Sequence, residues 1–457
     1  MVLGILMTYA LVTYLVVLVL IALRSAWRVK DIPDFFVARK AASAKAVAGS
    51  LVATILGGSA VIGAVDSGAK LGGAASWFML VGALGLLALI PFAGRAYNHG
   101  KYSLPDLVEN LYGKGPRVVA SVVIPVAWTG IVAAQIIAAA KLLMTFTSMG
   151  YTAAAIVSAT VFTGYTLAGG QLSILRTDFM QACLIILGLV LLAGFALFGG
   201  VSGSTETPAS LSSILQGAPE FPFNQSFSPL DLFLLILTYG TTYTAGPDIY
   251  SRVFCAKDIV TARKAIAIAA CTLIPVAFII GFLAVFGVGL ENVQGARITA
   301  IANAVLPPAL IPLFALALLS VVLSSADTTL LSSSVIINGF CRKPSLLQAR
   351  FLIFMNGMVA LLFALVFTDI IGTLLLALAV YAGAFTVPVL WGLWGLKARP
   401  KFVGAAIIAG GILALAGKLC PAGALGAHTG DILLIAAFAV NAVILALGRE
   451  SRSVKEA

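Results

Sequence analysis

The chain has little of what a soluble enzyme uses. Only 10% of its 457 residues are Asp, Glu, Lys or Arg, and its two histidines, His99 and His428, fall in connecting segments. Five cysteines (Cys183, Cys255, Cys271, Cys341 and Cys420) are scattered and odd in number, so neither a disulfide framework nor a zinc spacing is present. Most lie in apolar segments and read as small packing residues. Metal clusters and histidine-based acid–base chemistry have little to build on. No clustered nucleophile is visible, which argues against an enzyme. Polar stretches long enough for a soluble domain are missing too. The longest, 201–229, is rich in Ser, Pro and Gly and carries Glu206 and Glu220. The short segment after Gly448 offers no output domain of the kind a transport-fold sensor carries.

What the chain has is apolar length. Hydrophobic residues make up 61% of it, in about 13 runs near the roughly 20 residues that a spanning helix needs. They lie near 4–23, 46–70, 74–94, 118–147, 151–168, 179–200, 230–251, 265–290, 309–338, 351–367, 369–396, 402–419 and 430–448, and are called spans 1 to 13 below. The expected fold is an all-α polytopic membrane protein of about 13 transmembrane helices.

Charge gives the orientation. With the N-terminus outside, the connections alternate between basic and not basic, as the positive-inside rule requires. Arg297 and Lys418 fall in outside connections, and Lys70 and Lys141 lie in or near spans, which leaves 24 of the 28 Lys and Arg inside, Arg252 among them. The net charge of +11 is thereby explained, and no basic stripe on a soluble domain supports nucleic-acid binding. The expected location is the cell membrane, multi-pass, with the C-terminus cytoplasmic. Span 1 has no basic segment before it and no convincing cleavage site, so it reads as an uncleaved anchor. Nothing in the sequence requires an oligomer.

Spans 2 and 7 look broken. Span 2 carries Gly57-Gly58, Gly63, Asp66 and Gly68. Span 7 carries Gly240, Thr241, Thr242, Tyr243, Thr244 and then Gly246-Pro247. Gly and Pro both weaken a helix, and irregular backbone at membrane depth survives only where protein buries it or water reaches it. Tight packing at small residues is the alternative. Each break opens a set of five spans, 2–6 and 7–11. Five is odd, so the second set begins on the opposite side of the membrane. Inverted five-helix repeats, each opened by a broken helix, characterise a large class of secondary transporters of the LeuT type. The organisation expected is 1–45 (span 1 and an inside loop), 46–200 (first repeat), 201–229 (outside loop), 230–396 (second repeat) and 397–457 (peripheral spans 12–13 and tail).

Span 9 holds the strongest polar signal. Val321, Ser324, Ser325, Thr328 and Ser332 share one helical face, a stripe of hydroxyls, with Asp327 beside it. A carboxylate at the bilayer centre costs roughly 2.5–3.5 kcal/mol on insertion scales, so it faces a partner, a cavity or an ion. Hard cations take oxygen ligands, and a broken helix frees carbonyls. Bonding of the hydroxyls back to their own helix is the competing reading. Asp178, at the expected start of span 6, is either a capping acid or an ion ligand. Asp66 with Lys70 reads as a local i, i+4 pair, and Lys141 as a snorkelling side chain.

Several segments resemble the sodium/solute symporter family. They are Asp34 to Lys40; Tyr165, Gly169-Gly170, Arg176-Thr177-Asp178 and Gln181; Ser251 to Asp258; and Ser324 to Thr328. The resemblance implies a Na+ site between the break of span 2 and span 9. Its ligands would be the carbonyls of Ala53, Leu56 and Val321 and the hydroxyls of Ser324 and Ser325. A second ion at Asp178, Ser324, Asp327 and Thr328 is also implied. The substrate positions of sugar-carrying relatives correspond to Ala60, Met79, Gly82 and Leu273, walls that would leave a polyol's hydroxyls unpaired. Gly57, Gly58, Ala60, Met79, Tyr239, Thr242 and Tyr243 are the expected substrate residues, and a small amino acid, carboxylate or vitamin-like solute the expected cargo. A proton-coupled carrier of the same fold, with Asp178 or Asp327 as proton site, and a non-transporting sensor stay open.

Overall fold

A computed structural model describes residues 2–27, 29, 31–147, 149–198, 221–290, 295–340, 345–420 and 428–450. The greater part of the 201–229 connection, with Glu206 and Glu220, and Cys341 lie outside the described residues. Among the described residues the chain is helical, and the only β pairing is three isolated bridges. Among the described residues nine helices are long and apolar enough to cross a membrane, or up to ten with the bent pair Ala44–Ile55 and Ser59–Asp66 counted as one. The other three expected spans are Val2–Ala26, the shorter apolar stretch Tyr151–Gly164, and a chain of short helices from Pro229 to Val253. The count of thirteen is therefore not established by length and apolarity alone.

Short polar residues set the helix starts, because the first N–H groups of a helix lack internal partners. Ser43 accepts from Ala46 N ahead of span 2, and Asp258 accepts from Thr261 N at 2.7 Å ahead of span 8. Ser345 and Asp369 do the same for spans 10 and 11. Ser228 and Asp231 form a reciprocal capping box, with Pro229 at the first turn of span 7.

Both expected breaks are present. Span 2 bends by 52° between Ile55 and Ser59 and resumes as a widened, π-type turn over Ser59–Gly63. Span 7 widens in the same way over Ile236–Gly240, continues to Ala245, turns extended at Gly246 (φ −72°, ψ 137°) and restarts at Pro247. Spans 5 and 6 run as Tyr151–Phe198 with a bend at Gly170 (φ 58°). Span 6 therefore begins at Gly170 rather than near 179.

Span 1 is fastened to the core. Tyr14 is buried, its hydroxyl lies 2.5 Å from Ser320 Oγ of span 9, and it accepts from Gln181 Nε2 of span 6 at 3.2 Å. Spans 3 and 7 touch backbone to backbone. A side chain at Gly85 would clash with Gly240 O, and Thr244 Oγ1 donates to Gly85 O at 2.9 Å. The cysteines differ from expectation: Cys255 is buried, Cys183 and Cys271 are exposed and Cys420 is half-buried. Three of the four face outward from helices or their ends, where packing makes no demand on them.

Gly85→Ala is expected to cost about 1–3 kcal/mol of stability through overpacking, seen as a lower unfolding temperature in detergent. Gly164→Ala, with nothing within 4 Å of the added methyl, should be neutral in the same assay.

Candidate ion and solute sites

The first half of span 2 stops at Ile55, and Leu56 leaves helical geometry with ψ of 51°. The last carbonyls of a helix have no donor of their own. Two hydroxyls of span 9 meet them here: Ser324 Oγ donates to Ala53 O at 2.9 Å and Ser325 Oγ to Thr54 O at 2.8 Å. Ser324 Oγ is also 3.4 Å from Val321 O. The structure thus brings together Ala53, Val321, Ser324 and Ser325, with Leu56 at the break, all buried. Ser325 pairs with Thr54 O, a residue the sequence reading did not name, rather than with Leu56 O. The donor set is all oxygen and sits at the negative end of a half-helix, which is what a hard monovalent cation needs. The far side of the break is held by Gln135 of span 4, whose Oε1 accepts from Gly58 N at 2.9 Å. The approach is close enough that a side chain at Gly57 would run into Ser325.

A second polar centre gathers around Asp178, Asp327 and Arg252. Asp178 is about two turns inside the helix that begins at Gly170, so the capping reading fails. Arg252, expected in an inside loop, is fully buried. Its helix restarts at Pro247, inside the protein, and carries it there. Arg252 Nη2 lies 3.3 Å from Asp178 Oδ2 and donates to the Thr328 hydroxyl, while Nε donates to Ser50 Oγ at 3.0 Å. Ser50 in turn donates to Asp178, and Thr328 Oγ1 is 3.3 Å from Asp327 Oδ1. Asp178 Oδ1 and Asp327 Oδ2 are buried without a partner. One guanidinium pairs with Asp178 and reaches Asp327 through the Thr328 hydroxyl, which leaves one negative charge when both acids are ionised. The sequence signal for Arg252 was its place in the Ser251–Asp258 segment, where charge counting assigned it to a loop.

The expected Asp66–Lys70 pair is replaced by another contact. Asp66 Oδ1 accepts from Arg297 N at 2.7 Å, at the start of the short helix Arg297–Val305. A carboxylate at a helix N-terminus gains from its exposed N–H groups, more than from a solvated lysine one turn away.

Between spans 2, 4, 7, 9 and 11 lies a cavity of about 40 Å³. Gly57, Tyr239, Thr242 and Tyr243 line it as expected. Gly58, Ala60 and Met79 do not: Gly58 N is taken by Gln135, and Ala60 and Met79 are packed in the core. Gly58 and Ala60 alternate along span 2 with Gly57 and Ser59, which do border the cavity, and Met79 belongs to span 3. Trp128, Gln135, Asp248 and Thr329 are also in the lining and were not foreseen. Trp128 and Gln135 sit on an otherwise apolar helix with no local mark of function.

A model of the sodium:solute symporter family matches residues 35–395. The sodium/proline symporter of Haemophilus influenzae is 28% identical over 246 residues, 50% of this chain. The match takes in 46% of that relative, so the chain spans about half the length of the curated relative it matches. Among solved structures, a substrate-bound outward-open Na+-coupled sialic acid symporter superposes with a TM-score of 0.75 at 18% identity, covering 98% of this chain and 99% of that one. A manganese transporter of Eremococcus coleocola follows with 0.59 at 13% identity, covering 89% and 94%. These likenesses give the fold, the inverted-repeat LeuT type.

Ser324→Ala with Ser325→Ala should leave insertion intact and raise the sodium concentration for half-maximal uptake by at least about tenfold, the worth of one net hydrogen-bond-sized interaction; unchanged sodium dependence would reject these ligands. Arg252→Met should cost about 3–5 kcal/mol by stranding buried carboxylates. Adding Asp178→Asn should recover part of that loss in thermal unfolding.

Proposed function

The chain belongs to the sodium:solute symporter family, and from that premise we propose that it is a Na+-coupled carrier importing a small amino acid by alternating access. The observation that carries this reading is the meeting of Ser324 and Ser325 with the carbonyls of Ala53 and Thr54. A cation seated there joins the broken half of span 2 to span 9. Thr54, Gly57 and Ser325 also border the central cavity. Ion and solute thus share a wall, and filling one site shapes the other.

The cavity chemistry favours a zwitterion. Trp128 Nε1 is a buried donor without a partner, suited to a carboxylate. Asp248 supplies a counter-charge for an amine. The remaining lining mixes aromatic and aliphatic side chains, with the Tyr239 and Tyr243 rings 5.0 Å apart, and hydroxyls of which those of Thr242, Ser325 and Thr329 already donate to backbone carbonyls, which leaves few free groups to satisfy a sugar. The relative named for sodium and proline is in keeping with such a solute. Asp178, Asp327 and Thr328 are assigned to a second cation, with Arg252 as fixed counter-charge. The basic segments are assigned to the cytoplasmic side, which puts the N-terminus outside.

The driving force suffices. One charge crossing ~100 mV releases about 2.3 kcal/mol and a ~10-fold sodium gradient about 1.4 kcal/mol, which together sustain roughly 500-fold accumulation per coupled ion.

In proteoliposomes at fixed pH, replacing sodium by choline should abolish uptake of the accepted amino acid, identified by counterflow with a labelled panel. Uptake that persists undiminished would reject sodium coupling and favour the proton-coupled reading. Asp248→Asn and Trp128→Phe should each raise the half-saturating solute concentration about tenfold with little change in that for sodium.

A further inference from the structure

A groove of about 530 Å³ runs between the start of span 2 and span 6, away from the ion and solute sites. Clefts that hold small molecules measure roughly 300–1,000 Å³. Leu172, Leu175 and Phe179 of span 6 form one wall, and Ala42 and Ala46 at the start of span 2 lie in the other. Phe179 is 45% exposed. It packs against Gly49 of span 2, where an added side chain would run into it. Two cations border the same groove: Lys45 in the first turn of span 2, and Arg176 between Leu175 and Phe179.

The depth of the groove follows from a third neighbour. Arg176 Nη1 donates to Ser25 Oγ at 3.2 Å, and Ser25 is the last residue but one of span 1, which ends at Ala26. With the spans set in a bilayer, the groove opens where span 1 leaves and span 2 enters, and Phe179 lies about one turn further along span 6. Lipid headgroups and the first part of their acyl chains meet at that level.

The charges select an anion. Among the described residues bordering the groove there is no Asp or Glu. Acids close in sequence are engaged elsewhere: Asp31 and Asp34 pair with Arg39, and Asp178 faces Arg252 in the interior. Lys45 is exposed and forms no ion pair with a described residue. Simple snorkelling takes each cation to water separately. Here two cations from different helices flank one apolar slot, and basic pockets between membrane helices take phospholipid headgroups.

We propose that this groove binds one anionic phospholipid, with its phosphate between Lys45 and Arg176 and an acyl chain against Phe179. The lipid ties the start of span 2 to span 6. The same half-helix, Ala44–Ile55, carries Ala53 and Thr54 at its other end, so the lipid steadies the segment that ends at the candidate ion site. Neither the coupling ion nor the cargo enters this assignment.

The test uses the purified full-length chain in detergent, with phosphatidylglycerol or phosphatidylcholine of the same acyl chains and bound lipid counted by native mass spectrometry. One phosphatidylglycerol per chain should be retained, with at least about tenfold preference over phosphatidylcholine, the scale of two basic contacts. Lys45→Gln with Arg176→Gln should abolish the preference. Lys45→Gln alone, at an exposed position that folding does not depend on, should reduce it several-fold. Lys114→Gln with Lys401→Gln, exposed cations at the starts of spans 4 and 12, should leave it unchanged. Phosphatidylglycerol should also raise the unfolding temperature of the unmutated protein and not that of the Lys45–Arg176 double variant. Equal retention of the two lipids, or a preference that survives in the double variant, would overturn the site and leave only an ordinary lipid annulus. Displacement of the lipid by an equal concentration of glycerol 3-phosphate would overturn the lipid assignment in favour of a free anion.

Discussion

Everything in the centre of this molecule turns on two hydroxyls that finish a helix they do not belong to. The first half of span 2 runs out of donors at its C-terminus, and Ser324 and Ser325 of span 9 supply them. In a bilayer an unmet carbonyl costs several kcal/mol, so a break at this depth persists only because span 9 stands there with the right groups. The same need makes the break the cation site proposed above. Oxygens gathered to satisfy carbonyls, at the negative end of a half-helix, are the kind of ligand that a sodium ion takes. In that proposal structural repair and ion binding are one arrangement, through which the ion would influence the conformation of the break.

The two halves of span 2 are held by different neighbours. Ala53 and Thr54 lean on span 9, and Gly58 hangs from Gln135 of span 4. The outer end is held a third time, by Asp66 against the short helix that begins at Arg297. Span 7 is broken in the corresponding place of the second repeat, where Gly240 lies against Gly85 and Gly246 turns extended. The cavity lies between these two irregular stretches and is lined by side chains from regular helices on its other sides.

Much of this was legible from the residues. Apolar run length gave up to ten of the spans among the described residues. Gly57-Gly58 and Gly246-Pro247 gave both breaks, because few sequences tolerate such pairs at membrane depth without a use for them. The periodicity of span 9 gave Ser324, Ser325 and Thr328, since a 3.6-residue repeat needs only one helix to read. What failed was everything that depends on a partner far away in the chain. Arg252 was counted as a loop cation because counting cannot see that Pro247 restarts a buried helix. Asp178 was placed at a helix start because the bend at Gly170 is silent in a hydrophobicity profile. Trp128 and Gln135 were passed over because a lone aromatic or amide on an apolar helix has no local mark; only the cavity singles them out.

The guanidinium of Arg252 has an electrical consequence. It pairs with Asp178, reaches Asp327 through the Thr328 hydroxyl, and cannot leave with the cargo. With both acids ionised, the empty centre would carry one negative charge, and the monovalent cation proposed there would cancel it. The filled centre would then cross the membrane field as a neutral object. The vacant one would cross as an anion and be drawn toward the positive, outer face. In a polarised cell the voltage would therefore act on the return stroke, resetting the emptied carrier to face its next load.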